Sequence, residues 1–361
     1  MNYIIAFITI ITIALGGLKL FRMLGIREHQ KWADFYKRKP VINAQGIRTG
    51  VSIIIGFLIM APQYRNHSSF VIYAWAIIVL GTVSMIDLYR PIPSRIRLII
   101  QLLVFTGVVI YAWVDIESIR LRWDKPFILP IRLNIAMSIT RFVVCTNAIN
   151  LFDGIEWQSS GITAIGTWSI WCVINLIILQ QYVSLTPSTY EQLSITSYLA
   201  LAVTMAAIVY TWVEYKPHWL VRDIGTIIYG FSLAYLSLLG GVKVWTIVVV
   251  LSLVLFDFIR VMYNRLFIKH KNPMKGDYTH LHHRLLANGR SRSEVRWFVW
   301  IWSAMMMILM LLQWTNSINK WIIFALMGSL FFGVHIYLFR IKKLPDHYDI
   351  AFSPEDVERI R

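Results

Sequence analysis

The chain has 361 residues, 57% of them hydrophobic and only 15% charged, with a mean hydropathy of +0.59. A soluble domain carries about 25% charged residues, so a soluble core with a single anchor is excluded. The net charge is +16 and the pI about 9.9, but the basic residues lie between apolar runs, where they orient a membrane protein and meet anionic lipid; nucleic acid is not an expected partner.

Apolar runs near twenty residues recur from end to end, each long enough to cross roughly 30 Å of hydrocarbon. Without water to satisfy the backbone, such runs must be helices. Eleven spans are predicted, at 2–21, 49–62, 69–86, 96–114, 130–146, 159–182, 193–213, 225–240, 243–263, 297–314 and 319–339. The first lacks a basic leader and a small-x-small cleavage site and reads as a retained span. Asn2 after Met1 excludes a myristoylation signal. The second span is short, the fifth carries Arg141, and Gly240-Gly241 makes a tight turn between the eighth and ninth. Cys145 and Cys172 fall near or inside spans and read as small core residues rather than a disulfide or metal pair. The expected fold class is all-α, a polytopic integral membrane bundle over 1–344, with a cytoplasmic tail of mixed charge at 345–361.

Lys and Arg concentrate in 22–48 and 264–296, which the eleven-span count places on one side. The positive-inside rule makes that side the cytoplasm, with the N-terminus outside and the C-terminus inside. The segment 115–129, with Arg120, Arg122 and Lys125, is the charged exception opposite. The same topology sends 87–95, 147–157, 214–224 and 264–296 to the cytoplasmic face, and these hold every polar cluster in the chain.

The first cluster is Asn147-Ala-Ile-Asn150-Leu-Phe-Asp153-Gly154, continued by Glu156. Spacing by three puts Asn147, Asn150, Asp153 and Glu156 along one edge of a helix, and Gly154 would let the chain leave that helix. Such oxygens can bind a nucleotide, a magnesium ion or a lipid phosphate, or can cap the helix end. The second cluster is Arg222-Asp223-Ile224-Gly225-Thr226. Asp223 reads either as an N-cap or as a ligand for Mg²⁺, which is typically held by one or two carboxylates plus substrate phosphates. The third is His280-Leu281-His282-His283-Arg284, after a basic loop. With no Cys nearby, zinc is disfavoured; imidazoles and a guanidinium suit a diphosphate, and a solvated basic loop is the plain alternative. Asp87, ending the third span before Leu88-Tyr89-Arg90-Pro91, carries little signal alone.

Together these residues resemble the polyprenyl-phosphate N-acetylhexosamine-1-phosphate transferases of glycosyltransferase family 4, a superfamily that includes the phospho-N-acetylmuramoyl-pentapeptide transferase. Asn147 to Gly154 is similar to the family's Asn-Ala-x-Asn-Leu-x-Asp-Gly, Arg222 to Thr226 to its Gly-Asp-x-Gly-Ser, and His280 to Leu286 to its His-Leu-His-His-Arg-Leu-Leu. The resemblance implies Mg²⁺ (with Mn²⁺ as an alternative) at Asp223, supported by Asp153 and Asn150. It implies a diphosphate held by His280, His282, His283 and Arg284, with Asn147 and Glu156 also on substrate, and Asp87 or Asp153 orienting or deprotonating the lipid phosphate. The substrates it implies are a UDP-linked amino sugar, with N-acetylglucosamine favoured, and an undecaprenyl-type lipid phosphate, yielding a lipid-diphosphate sugar and UMP for cell-envelope polysaccharide. A homodimer is compatible with it.

Four positions depart from the family pattern. Leu88 stands where a second acid follows Asp87, Arg222 replaces the Gly before Asp223, Glu156 replaces an Asp, and Lys39 to Gly46 replaces an Arg with paired glycines. They keep open a catalytically impaired relative that binds lipid phosphate or nucleotide as an assembly partner. A transporter is the other class, but transporters set polar groups near the midplane in broken helices, often with internal repeats, and here the groups sit at span ends with no repeat.

Overall fold

The computed structural model describes residues 1–24, 45–112, 118–119, 127–128, 130–181, 185–214, 221–239, 244–270, 279–315 and 320–340. Most of the basic segment 22–48 and of 115–129, the Gly240-Gly241 turn, residues 271–278 and the tail 345–361 lie outside the described residues.

Every predicted span is a helix. In chain order they are α1 (Asn2–Leu24), α2 (Gln45–Met60), α3 (Ser68–Tyr89), α4 (Ser94–Ala112), α5 (Ile131–Leu151), α6 (Gln158–Gln181), α7 (Pro187–Val213) and α8 (Arg222–Leu239). The ninth span is interrupted at Leu251 into α9 (Val244–Val250) and α10 (Ser252–Tyr263), and a π turn over Asn264–Ile268 extends it. A short α11 (Leu281–Ala287) precedes α12 (Arg292–Trp314) and α13 (Lys320–Arg340). Between α4 and α5, the two-residue strands β1 (Ser118–Ile119) and β2 (Phe127–Ile128) pair antiparallel, a small departure confined to a connection. The chain is an all-α polytopic membrane protein: among the described residues, α3, α4, α7 and α12 have the length and apolarity to cross a bilayer.

Local chemistry sets the helix ends. Thr186 accepts from the Thr189 amide and Pro187 follows it, starting α7 six residues before the apolar run begins. Ser291 and Glu294 form a capping box that starts α12. Arg90 is extended, as a residue before proline must be, and ends α3.

The centre of the bundle is α8. Every residue from Ile224 to Leu239 is buried, against α2, α3, α5, α6, α7 and α9, which is the pattern of a helix surrounded by others rather than by lipid. Its polar groups are paired across these contacts. Tyr73 and Ser232 hydroxyls lie 2.7 Å apart, Tyr235 donates to the Ser69 carbonyl at 2.7 Å, and Arg141 donates through Nη2 to Ser237 Oγ at 2.7 Å. The cation inside the fifth span thus faces the bundle interior, where an intramembrane charge is tolerated. Gly230 lets α8 touch α5 directly: a Cβ there would stand 2.6 Å from Thr146 Cα.

Successive helices alternate in direction, so one end of the bundle gathers the starts of α2, α4, α6, α8 and α12 and the ends of α3, α5, α7 and α10. Side-chain bonds between these termini, given below, show that they meet.

Candidate active site

Asp87 closes α3 and is buried. Its Oδ1 accepts from the Ile92 amide at 2.6 Å and its Oδ2 from Arg97 Nη1 at 2.7 Å. The same Arg97 nitrogen lies 3.7 Å from Asp223 Oδ2, so one guanidinium on the first turn of α4 links the third-span acid to the α8 acid. Asp223 stands in the first turn of α8 with its side chain 47% exposed, a favourable place for a negative charge because free amides point outward there.

The helix α5 runs five residues past the predicted end of its apolar stretch, so Asn147 and Asn150 lie in its last turns. Asn147 Nδ2 donates to Gln101 Oε1 (3.1 Å) and to the Val143 carbonyl (2.8 Å). Asn150 Nδ2 donates to Thr226 Oγ1 at 2.8 Å, bracing the first turn of α8 beside Asp223. Gly46 braces the same turn from α2: a Cβ on it would lie 2.6 Å from the Gly225 nitrogen and 2.8 Å from the Val221 carbonyl.

Asp153 follows the end of α5 and accepts from Ser159 Oγ at 2.5 Å. Removal from water pushes its carboxyl up to about 7; the Ser159 bond opposes this, the Asp223 charge adds to it and Arg222 opposes it. Asp153 and Asp223 are therefore close enough to feel one another. A fourth acid, Glu214 at the end of α7, is fully enclosed and accepts from Ser160 Oγ (2.6 Å) and the Val221 amide (2.8 Å). Burial raises it to about 8, with the Asp153 charge adding. Glu156 is engaged by Arg292, and its carbonyl accepts from Arg296 Nη1 at 3.1 Å. Arg296 stacks 4.1 Å from the Trp157 ring centroid, holding that residue at φ +71°, left-handed backbone a tryptophan seldom adopts. The α12 start thereby fixes the 153–158 turn.

The histidines close over this turn. His282 is buried, edge-on to Phe152 (5.7 Å between centroids), parallel to His280 (5.9 Å, 7°) and 4.1 Å from His283. Burial, with His283, His280 and Arg292 nearby, drives its pKa well below the usual imidazole value. Gly154 does not free the chain from a helix, as its sequence position implied; α5 has ended at Leu151 and Gly154 has no positive φ. Its missing side chain admits His282: a Cβ would stand 2.8 Å from His282 Cε1 and nearer still to Nε2 and Cδ2. Arg284 is buried, and desolvation lowers its pKa.

All the candidate residues thus fall at one end of the bundle. Asp153, Asp223, Asn150 and His282 are drawn around a common turn, Asp87 joins through Arg97, and Asn147 is turned toward Gln101. For a divalent cation, Asp223 offers exposed carboxylate oxygen and Asp153 a second carboxyl electrostatically linked to it. Hard oxygen donors of this kind suit Mg²⁺, which fills its shell with water and substrate phosphate rather than with a protein cage.

Sequence reasoning missed Arg97, Glu214 and Asp257. Glu214 ends an apolar run as Asp87 does, and was readable by the same logic. Asp257 interrupts the ninth apolar run, where an ionisable residue is by default a functional candidate.

Comparison with known proteins bears on these same segments. Residues 70–241 match the model of glycosyl transferase family 4, a stretch that holds Asp87, Arg97, the Asn147–Gly154 cluster, Glu214 and Asp223 but stops before the histidines. The chain is 28% identical over 262 residues to a Bacillus subtilis protein named a probable undecaprenyl-phosphate N-acetylglucosaminyl 1-phosphate transferase, covering 68% of this chain and 66% of that one. The chain therefore spans just under two thirds of that relative's length.

Proposed function

We propose, for a chain whose residues 70–241 match the model of glycosyl transferase family 4, that it transfers a sugar-1-phosphate from a UDP-sugar to a polyprenyl phosphate at the inner leaflet, releasing UMP. The observation that carries this is the meeting of three separated segments at one end of the bundle: Asn150 bonds Thr226 in the turn that carries Asp223, and His282 lies on Gly154 beside Asp153. A basic, cytoplasmic end suits a soluble nucleotide and a lipid headgroup at the interface. N-acetylglucosamine is the favoured sugar, in line with the name of the Bacillus relative.

In such a transfer the lipid-phosphate oxygen attacks the phosphorus nearest the sugar, and the protein supplies alignment and charge neutralisation rather than covalent work. Asp223, with Asp153 and Asn150 behind it, would hold Mg²⁺, which when bound would polarise the diphosphate. Arg284 and the histidines hold the diphosphate oxygens. Asp153, beside the turn that carries Asp223, can orient the lipid phosphate or accept its proton. Asp87 has both oxygens occupied, and its part is to fix Arg97.

Leu88, standing where the family pattern has a second acid beside Asp87, favours the second reading, a relative that binds but does not turn over. The test is the detergent-purified protein with polyprenyl phosphate, Mg²⁺ and a panel of radiolabelled UDP-sugars. Lipid-diphosphate sugar formed from UDP-GlcNAc is expected. Binding of lipid phosphate with no product from any UDP-sugar would establish the second reading instead.

A further inference from the structure

Asp257 has no part in the proposed reaction so far, yet among the described residues it is a heavily bonded acid of the histidine end. It sits on α10 with its side chain 3% exposed. Oδ1 accepts from the Leu281 amide at 2.9 Å and from Arg260 Nη2 at 2.8 Å, and Oδ2 meets His280 Nδ1 at 2.9 Å. Arg260 Nη2 also donates to the Thr279 carbonyl at 2.5 Å. One carboxylate thus gathers the first residues of the histidine motif, 23 and 24 positions away, and its own neighbour Arg260 ties down the residue before them.

The bond pattern fixes the chemistry of His280. Oδ1 of Asp257 accepts from two N–H groups, the pattern of a carboxylate, so the proton of the His280–Asp257 bond is assigned to Nδ1. The other ring nitrogen, Nε2, is buried and has no partner among the described residues. His280 is itself 3% exposed and lies parallel to His282, which in turn lies on Gly154 beside Asp153. A buried nitrogen without a partner is costly, a cost that makes sense if a ligand oxygen completes it. When a phosphate oxygen arrives, Nε2 must carry a hydrogen to bond it. His280 is then imidazolium, and the Asp257 carboxylate balances the charge.

We propose that Asp257 is a positioning residue. It locks the His280 ring with Nδ1–H inward, presents Nε2 to a phosphate oxygen of the nucleotide donor, and stabilises the imidazolium that makes this bond. The proposal rests on the transferase reading above and deepens it by giving His280 a specific part in that grip, its Nε2 on the donor's phosphate. The pair forms no covalent bond, and the second proton of His280 is taken up from solvent as the donor binds. Arg260 holds the carboxylate in register, so the whole unit of α10 and the α11 start behaves as one clamp.

The experiment is a double-mutant cycle with Asp257→Asn, His280→Ala and the double variant, read as kcat and KM for UDP-GlcNAc, KM for polyprenyl phosphate, and UMP affinity by equilibrium binding. Each single variant is expected to lose about 10- to 100-fold in kcat/KM for the donor, the range seen when the carboxylate partner of a functional histidine is removed. KM for the lipid should be unchanged, and the double variant should be no worse than His280→Ala. Asp257→Glu, which keeps the carboxylate, should recover most of the loss. Multiplying losses in the double variant, or equal loss toward both substrates, would overturn the proposal and leave Asp257 as scaffold only. If Asp257→Asn does not fold, the same cycle with Asp257→Glu decides, because any loss it causes must vanish in the His280→Ala background. A wild-type protein that makes no product but binds UMP leaves the cycle to be read on UMP affinity, where additivity again overturns the clamp. One that does neither removes the transferase reading and the clamp together.

Discussion

Gly154→Ala is the sharpest probe of the site, because the backbone there accepts alanine and only one neighbour objects. The added Cβ would stand 2.8 Å from His282 Cε1 and closer to Nε2 and Cδ2, whereas carbon atoms are comfortable at about 3.5–4.0 Å. The ring must retreat by more than about half an ångström at its least affected atom, but it is enclosed by Phe152, His280 and His283. Overpacking of this kind costs about 1–3 kcal/mol, and a misplaced group of that size in a phosphate site costs about 100-fold in turnover. His282→Ala alone should be nearly neutral in stability, because it removes a buried imidazole whose Nδ1 has no partner. The assay pairs thermal unfolding in detergent with product formation from UDP-GlcNAc. Gly154→Ala should lose both stability and turnover, and adding His282→Ala should restore stability while turnover stays low. Wild-type stability in Gly154→Ala, or no recovery in the double variant, would show that the glycine does not seat the histidine.

Asp223→Asn should abolish Mg²⁺-dependent product formation while leaving the unfolding midpoint within a few degrees of wild type; near-normal turnover would remove Asp223 as the metal ligand. In metal-free buffer the protein should lose stability as pH rises. Asp153 and Glu214, raised to about 7 and about 8, keep protons that the unfolded chain releases near pH 4, so their contribution is complete below that pH and gone once pH passes their folded values. Asp153→Asn with Glu214→Gln should flatten the unfolding midpoint between pH 5 and pH 8, and an unchanged slope would count against the raised values. Arg141→Met should be neutral or stabilising, as replacement of a buried charge by an apolar side chain often is. Ser237→Ala, which strands the Arg141 guanidinium, should cost about 1–3 kcal/mol; the reverse order in thermal unfolding would show that the pair is not buried together.

The spans were legible because a bilayer asks for length and apolarity, and both are properties of a contiguous run. Where the expected boundaries slipped, the cause is polar helix. The first turn of α7, from Pro187, is invisible to hydropathy but is announced by the Thr186 cap and the proline. The last turns of α5 contain Asn147 and Asn150, which end the apolar run without ending the helix, because Gln101 and Thr226 satisfy them. The break of the ninth span at Leu251 has no glycine or proline to mark it. Within the site, the three clusters could be read from residue type and order. Their wiring could not, because each bond joins segments far apart in sequence: Arg97 to Asp223, Ser160 to Glu214, Asp257 to His280. Gly154 illustrates the limit well. Its place after a polar run suggested a helix exit, and only the position of His282 revealed a seat for a ring.

The exposure of Asp223 sets a problem of its own, since a carboxylate left nearly half in water must still be held in place if it is to serve a metal. The bundle solves it by gripping the backbone instead of the side chain. On one side Gly46 brings α2 against the Gly225 amide and the Val221 carbonyl. On a second, Asn150 from α5 bonds Thr226. On a third, Glu214 from α7 takes the Val221 amide, just before Arg222 enters at φ +47°. Three helices thus fix the turn from Val221 to Thr226, and the carboxylate needs no partner of its own beyond the distant Arg97. A site acid held this way keeps its oxygens for a ligand, and precision comes from rigid elements behind it. The same division recurs at the histidines, where Asp257 and Arg260 hold the chain at Thr279 and Leu281 and leave a ring nitrogen of His280 uncommitted. In both places the fold spends its polar bonds on backbone position and leaves a side-chain group, the half-exposed Asp223 carboxylate or Nε2 of His280, open to a ligand.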